Sequence, residues 1–159
     1  DRDGTIIKNT GYLSSADQIE LIEGAVQLCR LCQDKGYQLI LVTNQSGVAR
    51  GYFDESFVQA THEYLFNVLA KHEVFFTKAY YCPHHPKAQV KDYARQCQCR
   101  KPGPGMLLSA AVDYDLDLSA SVMIGDTDVD IKAGVAAGCR SFDILSLLNL
   151  NKADLENLF

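Results

Sequence analysis

The chain has 159 residues, 47% hydrophobic, 22% charged and 9% aromatic, the proportions of one ordinary globular domain. Fifteen basic residues against 20 acidic ones leave a net charge of -5, which excludes the polyanion-coating surface of a nonspecific nucleic-acid binder. No stretch approaches the ~20 consecutive apolar residues of a membrane span, and the opening Asp1-Arg2-Asp3-Gly4-Thr5 is unlike a signal peptide, so a cytoplasmic protein without a membrane partner is expected.

In chain order, Glu23 to Lys35 places Val26, Cys29 and Cys32 on one helical face and stops at Gly36, which reads as a C-terminal cap. Cys29-x-x-Cys32 lies inside that apolar face and not at a helix N-terminus, so core packing is expected rather than thiol chemistry. The run Tyr37 to Val42 predicts a buried strand. Asp54 predicts the cap of a helix reaching about Lys71, with Phe57, Thr61, Leu65 and Leu69 at helical spacing. His62 and His72 have no partner pattern and receive no role. Lys78 to Tyr81 predicts a short strand, and from Cys82 to Pro102 neither helical nor strand period holds. Pro104 suits the first turn of a helix to Tyr114, Val122 to Ile124 reads as strand, Val129 to Ala137 as helix closed by Gly138, and Arg140 to Ile144 as a last strand. A short helix is expected in the tail, and Cys139 is expected in the core.

Continuous apolar strands alternating with helices predict one α/β domain over residues 1–159, a Rossmann-like three-layer sandwich with a central parallel sheet. In such sheets ligands bind beyond the carboxyl ends of the strands. Thr43-Asn44 and Gly125-Asp126 stand at two such ends, and Asp1-x-Asp3-Gly4 has the same polar, turn-forming character. Asp and Gly after a strand serve equally as turn formers. Taken together, Asp1, Asp3 and Asp126 are candidates to hold Mg2+, a hard cation that takes oxygen ligands and keeps waters for a phosphate to replace. A second constellation is Cys82-x-His84, 12 residues, then Cys97-x-Cys99. Three thiolates and one imidazole make the closed tetrahedral donor set of structural Zn2+, with His85 as the rival to His84.

Asp1-x-Asp3-Gly4-Thr5, Thr43 after an apolar strand, Lys101 before Pro102, and Gly125-Asp126-x-x-x-Asp130 occur in the order of the four haloacid dehalogenase (HAD) superfamily motifs, which the chain resembles over its whole length. Within it, Thr43 to Gly51, Tyr81 to Pro86 and Cys97 to Pro102 resemble the heptose bisphosphate phosphatases. The resemblance implies Asp1 as nucleophile and Asp3 as general acid and base. It implies Mg2+ on the Asp1 carboxylate, the Asp3 backbone carbonyl and Asp126, with Asp130 orienting this shell. Thr43 and Lys101 would bind the transferring phosphoryl group, and His84 is selected as the zinc ligand. No large cap is inserted, so substrate choice would fall to short loops: Asn9-Thr10-Gly11-Tyr12, Asn44-Gln45-Ser46, and the zinc loop 82–102 with Arg100 gripping substrate.

The implied activity is hydrolysis of the 7-phosphate of a heptose bisphosphate through an aspartyl-phosphate, on the route to ADP-heptose and the lipopolysaccharide core, by a monomer acting on a small sugar phosphate. Histidinol-phosphate phosphatases resemble the chain in the same motifs and zinc loop, but Gln45 to Gly51 and the doubled His84-His85 favour the heptose enzymes. A non-catalytic phosphoacceptor or a zinc-stabilised interaction module is the alternative of another class, and Asp3 with Thr43 and Lys101 argues for turnover against it. The superfamily pattern sets an apolar strand directly before the nucleophile, whereas this sequence opens on Asp1, so a strand is expected upstream. Thr127 stands where relatives often carry a basic residue, and its role is left open.

Overall fold

A computed structural model describes residues 1–159. Helix α1 spans Glu23–Asp34, β1 Leu39–Asn44, α2 Glu55–Ala70, β2 Phe76–Cys82, α3 Gly105–Tyr114, β3 Val122–Gly125, α4 Asp128–Ala137, β4 Arg140–Asp143, α5 Ile144–Leu148 and α6 Lys152–Leu158. Every expected helix and strand forms, with ends displaced by one or two residues. The displacement before β1 has a local cause. Gly36 adopts φ +87° and the Tyr37 amide donates to the Cys32 carbonyl at 3.0 Å, so Tyr37 completes the helix cap and the strand starts later. At α2 the Asp54 carboxylate accepts from the Phe57 amide at 2.9 Å, a cap worth about 1 kcal/mol. Pro104 occupies the N-cap of α3 rather than its first turn.

The pairing of the named strands is parallel, as expected. β1 pairs with β2 and β3 pairs with β4, giving two two-stranded sheets. Ile40 and Val42 of β1 and Met123 and Ile124 of β3 border a common apolar space with Asp1 at its margin. The terminal amino nitrogen of Asp1 donates to the Ile124 carbonyl at 2.8 Å.

Burial follows the helical periods. Ile7, Leu41, Leu65, Leu69 and Val74 pack between β1 and α2, while Ala25, Leu28, Cys32, Ile144 and Leu147 join α1 to α5. Cys29 and Cys32 sit within these packed faces, where burial pushes their thiols up to about 12 and about 11, out of nucleophilic range. Cys139 is buried against Val42, Met106 and Met123. No helix is long and apolar enough to cross a membrane.

Candidate active site

The carboxyl ends of β1 and β3 and the Asp1–Ile7 turn meet at a polar cleft of about 270 Å3. The turn is closed by backbone bonds from Gly4 to the Ile7 carbonyl and from Ile6 and Ile7 to the Arg2 carbonyl. Gly4 is required twice over: its φ is +83°, and a Cβ there would stand 2.1 Å from Asp126 Oδ2. That close approach brings the first loop onto the end of β3.

Lys101, 4% exposed, enters this floor from the far end of the irregular loop. Its ammonium donates to Asp1 Oδ1 at 2.8 Å and the Val42 carbonyl at 2.9 Å, and pairs with Asp130 Oδ1 at 2.5 Å. Burial lowers the Lys101 pKa, opposed by the neighbouring Asp130. Burial would raise Asp130, but Lys101 and the Thr127 hydroxyl hold it below the usual carboxylate range. Thr127, open in the sequence, caps α4: its hydroxyl and amide both donate to Asp130 Oδ2, at 2.5 and 3.1 Å.

Oxygen atoms of Asp1, Asp126 and Asp130 lie within 4.8 Å of one another. Burial, then the charge of Asp130, pushes the Asp126 carboxyl above its ordinary range. Four carboxylates line the cleft against Arg2 and Lys101, so an all-oxygen donor set with excess negative charge fits a hard divalent cation such as Mg2+. The Asp3 side chain stands outside the cluster, compatible with a metal contact through its backbone carbonyl alone. Both its oxygens accept from Arg2, at 3.1 Å each, and Oδ2 also accepts from Gln45 at 3.0 Å.

The expected zinc ligands converge. Cys82, Cys97 and Cys99 sulfurs are 3.2 to 3.5 Å apart, and His84 Nδ1 is 3.6 Å from Cys82 and 3.4 Å from Cys99. A tetrahedral Zn2+ with bonds of about 2.3 Å sets its sulfurs roughly 3.8 Å apart, so the four groups fit that ion with little adjustment. His85 stays outside and accepts from the Lys87 amide at 3.1 Å. Glu55, in the first turn of α2, ties the loop down by accepting from Tyr81 at 2.7 Å and Tyr93 at 2.8 Å.

A family model described as HAD-hydrolase-like matches residues 98–147. The D-glycero-beta-D-manno-heptose-1,7-bisphosphate 7-phosphatase of Yersinia pestis is 42% identical over 137 residues, covering 86% of this chain and 73% of that protein. The enzyme of the same name from Photorhabdus laumondii is 46% identical over 138 residues, again covering 86% and 73%. The chain belongs to this phosphatase family. Among solved structures, a HAD-like phosphatase from Mesorhizobium loti superposes with a TM-score of 0.83 at 36% identity, over 87% of this chain and 66% of that one. The D,D-heptose 1,7-bisphosphate phosphatase from B. bronchiseptica, complexed with magnesium and phosphate, superposes with a TM-score of 0.77 at 33% identity, over 88% and 75%. The fold is thus the HAD-like α/β fold with parallel strands.

Against that family frame, the residues expected to bind substrate divide into two groups. Asn9, Gly11, Tyr12 and Ser46 line the cleft, Tyr12 half exposed, and Thr43 lies at its base. Asn44 and Gln45 also line it, but their amides are committed to protein partners. Asn44 exchanges two hydrogen bonds with the Lys101 backbone, at 3.0 and 3.1 Å. Gln45, 4% exposed, accepts from Arg2 at 2.9 Å and donates to Asp3 and Thr43. A side chain whose donors and acceptor are all engaged holds neighbours in place more readily than it greets a ligand. Thr10 and Arg100 do not line the cleft; Arg100 donates to the His84 carbonyl at 3.2 Å. Arg2 and His62 were missed by the sequence reading. The available signal for His62 was its place beside Val58, Leu65 and Leu69 on the apolar face of α2.

Proposed function

We infer that this chain is a Mg2+-dependent phosphomonoesterase that removes the 7-phosphate of D-glycero-D-manno-heptose 1,7-bisphosphate and leaves the 1-phosphate in place for nucleotide activation. The observation that carries the reading is the contact of the buried Lys101 ammonium with Asp1, at the head of the acidic cluster. Receiving a phosphoryl dianion on a carboxylate requires local positive charge, and Lys101 supplies it from a fixed position. The family relatives supply the substrate class.

In the first half-reaction Asp1 attacks phosphorus, the bond from phosphorus to the sugar oxygen breaks, and Asp3 gives its proton to that oxygen. In the second, water attacks the aspartyl-phosphate while Asp3 takes its proton, and the bond to Asp1 breaks to release inorganic phosphate. Thr43 and Lys101 bind the phosphoryl oxygens through both steps. Asp1, Asp126 and the Asp3 backbone carbonyl would hold Mg2+, with Asp130 orienting them, and the ion would supply neutralisation of the phosphoryl charge. Cys82, His84, Cys97 and Cys99 would hold Zn2+, which would cross-link the loop that delivers Arg100 and Lys101. Arg100 contributes to holding the uncleaved phosphate, and Asn9, Tyr12 and Ser46 contact the sugar.

The test is phosphate release from the heptose bisphosphate and from histidinol phosphate with Mg2+, with the remaining ester identified by 31P NMR. Selective loss of the 7-phosphate is expected. Preference for histidinol phosphate would overturn the substrate assignment, and a single stoichiometric phosphorylation without turnover would overturn catalysis.

A further inference from the structure

A polar network leads from the cleft wall into the protein. Arg2 is 4% exposed and spreads its guanidinium over acceptors on three residues. Nε and Nη2 form a parallel fork on the two Asp3 oxygens, Nη2 also donates to Gln45 Oε1, and Nη1 lies 3.3 Å from His62 Nε2. A guanidinium remains protonated and has no acceptor atom, so the imidazole must present a lone pair at Nε2 and carry its proton on Nδ1. Burial, then the charge of Arg2, pushes the His62 pKa down to about 3, which keeps the ring neutral at working pH. His62 is itself 5% exposed, and the Tyr81 ring packs edge-on at 5.8 Å between centroids, restricting its rotation.

We propose that His62 is a positioning residue: by accepting from Arg2 it holds the guanidinium fork that aims the Asp3 carboxylate. The proposal rests on the reading of Asp3 as general acid and base. His62 does not line the cleft, so it acts only through Arg2. The linkage spans three separate segments: α2 supplies His62, the first turn Arg2 and Asp3, and the segment after β1 Gln45. An apolar residue at 62 would leave the buried Nη1 without its acceptor. The guanidinium would then turn to find another partner, and the fork on Asp3 would open.

A mispositioned acid is felt in proportion to how much the leaving group needs a proton. Phosphoenzyme formation should therefore be measured by rapid quench with two substrates, the heptose bisphosphate and p-nitrophenyl phosphate, whose leaving group departs as an anion. His62→Leu should slow formation from the sugar ester by about 10- to 100-fold and from the aryl ester by less than about 3-fold. His62→Gln, whose amide oxygen can accept from Arg2, should return the sugar-ester rate to within about 5-fold of the parent. Equal losses with both substrates, or none, would overturn the positioning role. Should the leucine variant not fold, Arg2→Lys keeps the charge but cannot form the fork, and must show the same selective loss. Asp3→Asn is the control for the underlying reading. If it lacks the selectivity, the acid assignment itself fails; if it has the selectivity and the His62 and Arg2 variants do not, only the positioning role fails.

Discussion

Asn44 and Lys101, 57 positions apart, are joined through one side-chain amide: Asn44 Oδ1 accepts from the Lys101 amide at 3.0 Å and Nδ2 donates to the Lys101 carbonyl at 3.1 Å. This two-point clamp fixes the end of the irregular loop to the end of β1. It sets where the Lys101 stem enters the protein, and with it the 2.8 Å contact between the ammonium and Asp1. Asn44→Ala should lower kcat by about 10- to 100-fold and stability by about 1 to 3 kcal/mol, because two backbone groups lose their partner. Steady-state kinetics and thermal melts check both, and zinc content should be unchanged.

Asp1→Asn and Asp3→Asn should each abolish steady turnover without changing zinc content, since the carboxylates and thiolates occupy separate places. The two variants should differ in one respect: Asp3→Asn retains the nucleophile, so a phosphorylated protein should accumulate, visible by mass spectrometry in acid-quenched samples. Near-normal turnover by Asp3→Asn would refute the acid and base role.

Activity should disappear with brief EDTA treatment and return with Mg2+ alone, provided zinc is not stripped. Metal analysis of protein purified without chelator should find about one zinc per chain. Cys97→Ser should lower both zinc content and Tm, because the proposed ion would lose one of its four ligands.

Arg100→Ala should reduce kcat/KM for the bisphosphate by about 10- to 1000-fold and harm a small monophosphate much less, since that substrate has no remote group to hold. Equal losses on the two substrates would show instead that Arg100 acts on the transferring phosphoryl group or merely anchors the His84 carbonyl.

Stability should fall with pH earlier than carboxylate titration alone requires. The His62 pKa is about 3 in the folded protein against an ordinary 6.5, so the unfolded chain binds this proton more readily. The contribution is fully present above pH 6.5 and is lost as pH falls toward 3, up to roughly 5 kcal/mol in all. Between pH 6.5 and 5, where most carboxylates are still charged, His62→Gln should flatten the decline of Tm. An unchanged slope would show that His62 does not fold as a neutral ring.

Much of this molecule was legible from local chemistry. Helical spacing in α1 and α2, Gly36 and Gly138 at helix ends, and Asp54 before α2 are short-range signals, and each acts over a few residues as it does in the sequence. The candidate carboxylates at strand ends were legible for the same reason, since a parallel α/β sheet dictates which ends face ligand. That Cys82, His84, Cys97 and Cys99 would cluster could be anticipated from residue types and spacing, with the family resemblance choosing His84 over His85. The contacts that engage the side chains around the cleft could not be read in the same way. Among them are the partners of Asn44, Gln45, Arg2 and His62. A hydrogen-bonding side chain beside a site serves substrate or scaffold according to whether its donors and acceptors are already engaged. That engagement joins residues 40 to 60 positions apart, so only the tertiary structure decides it.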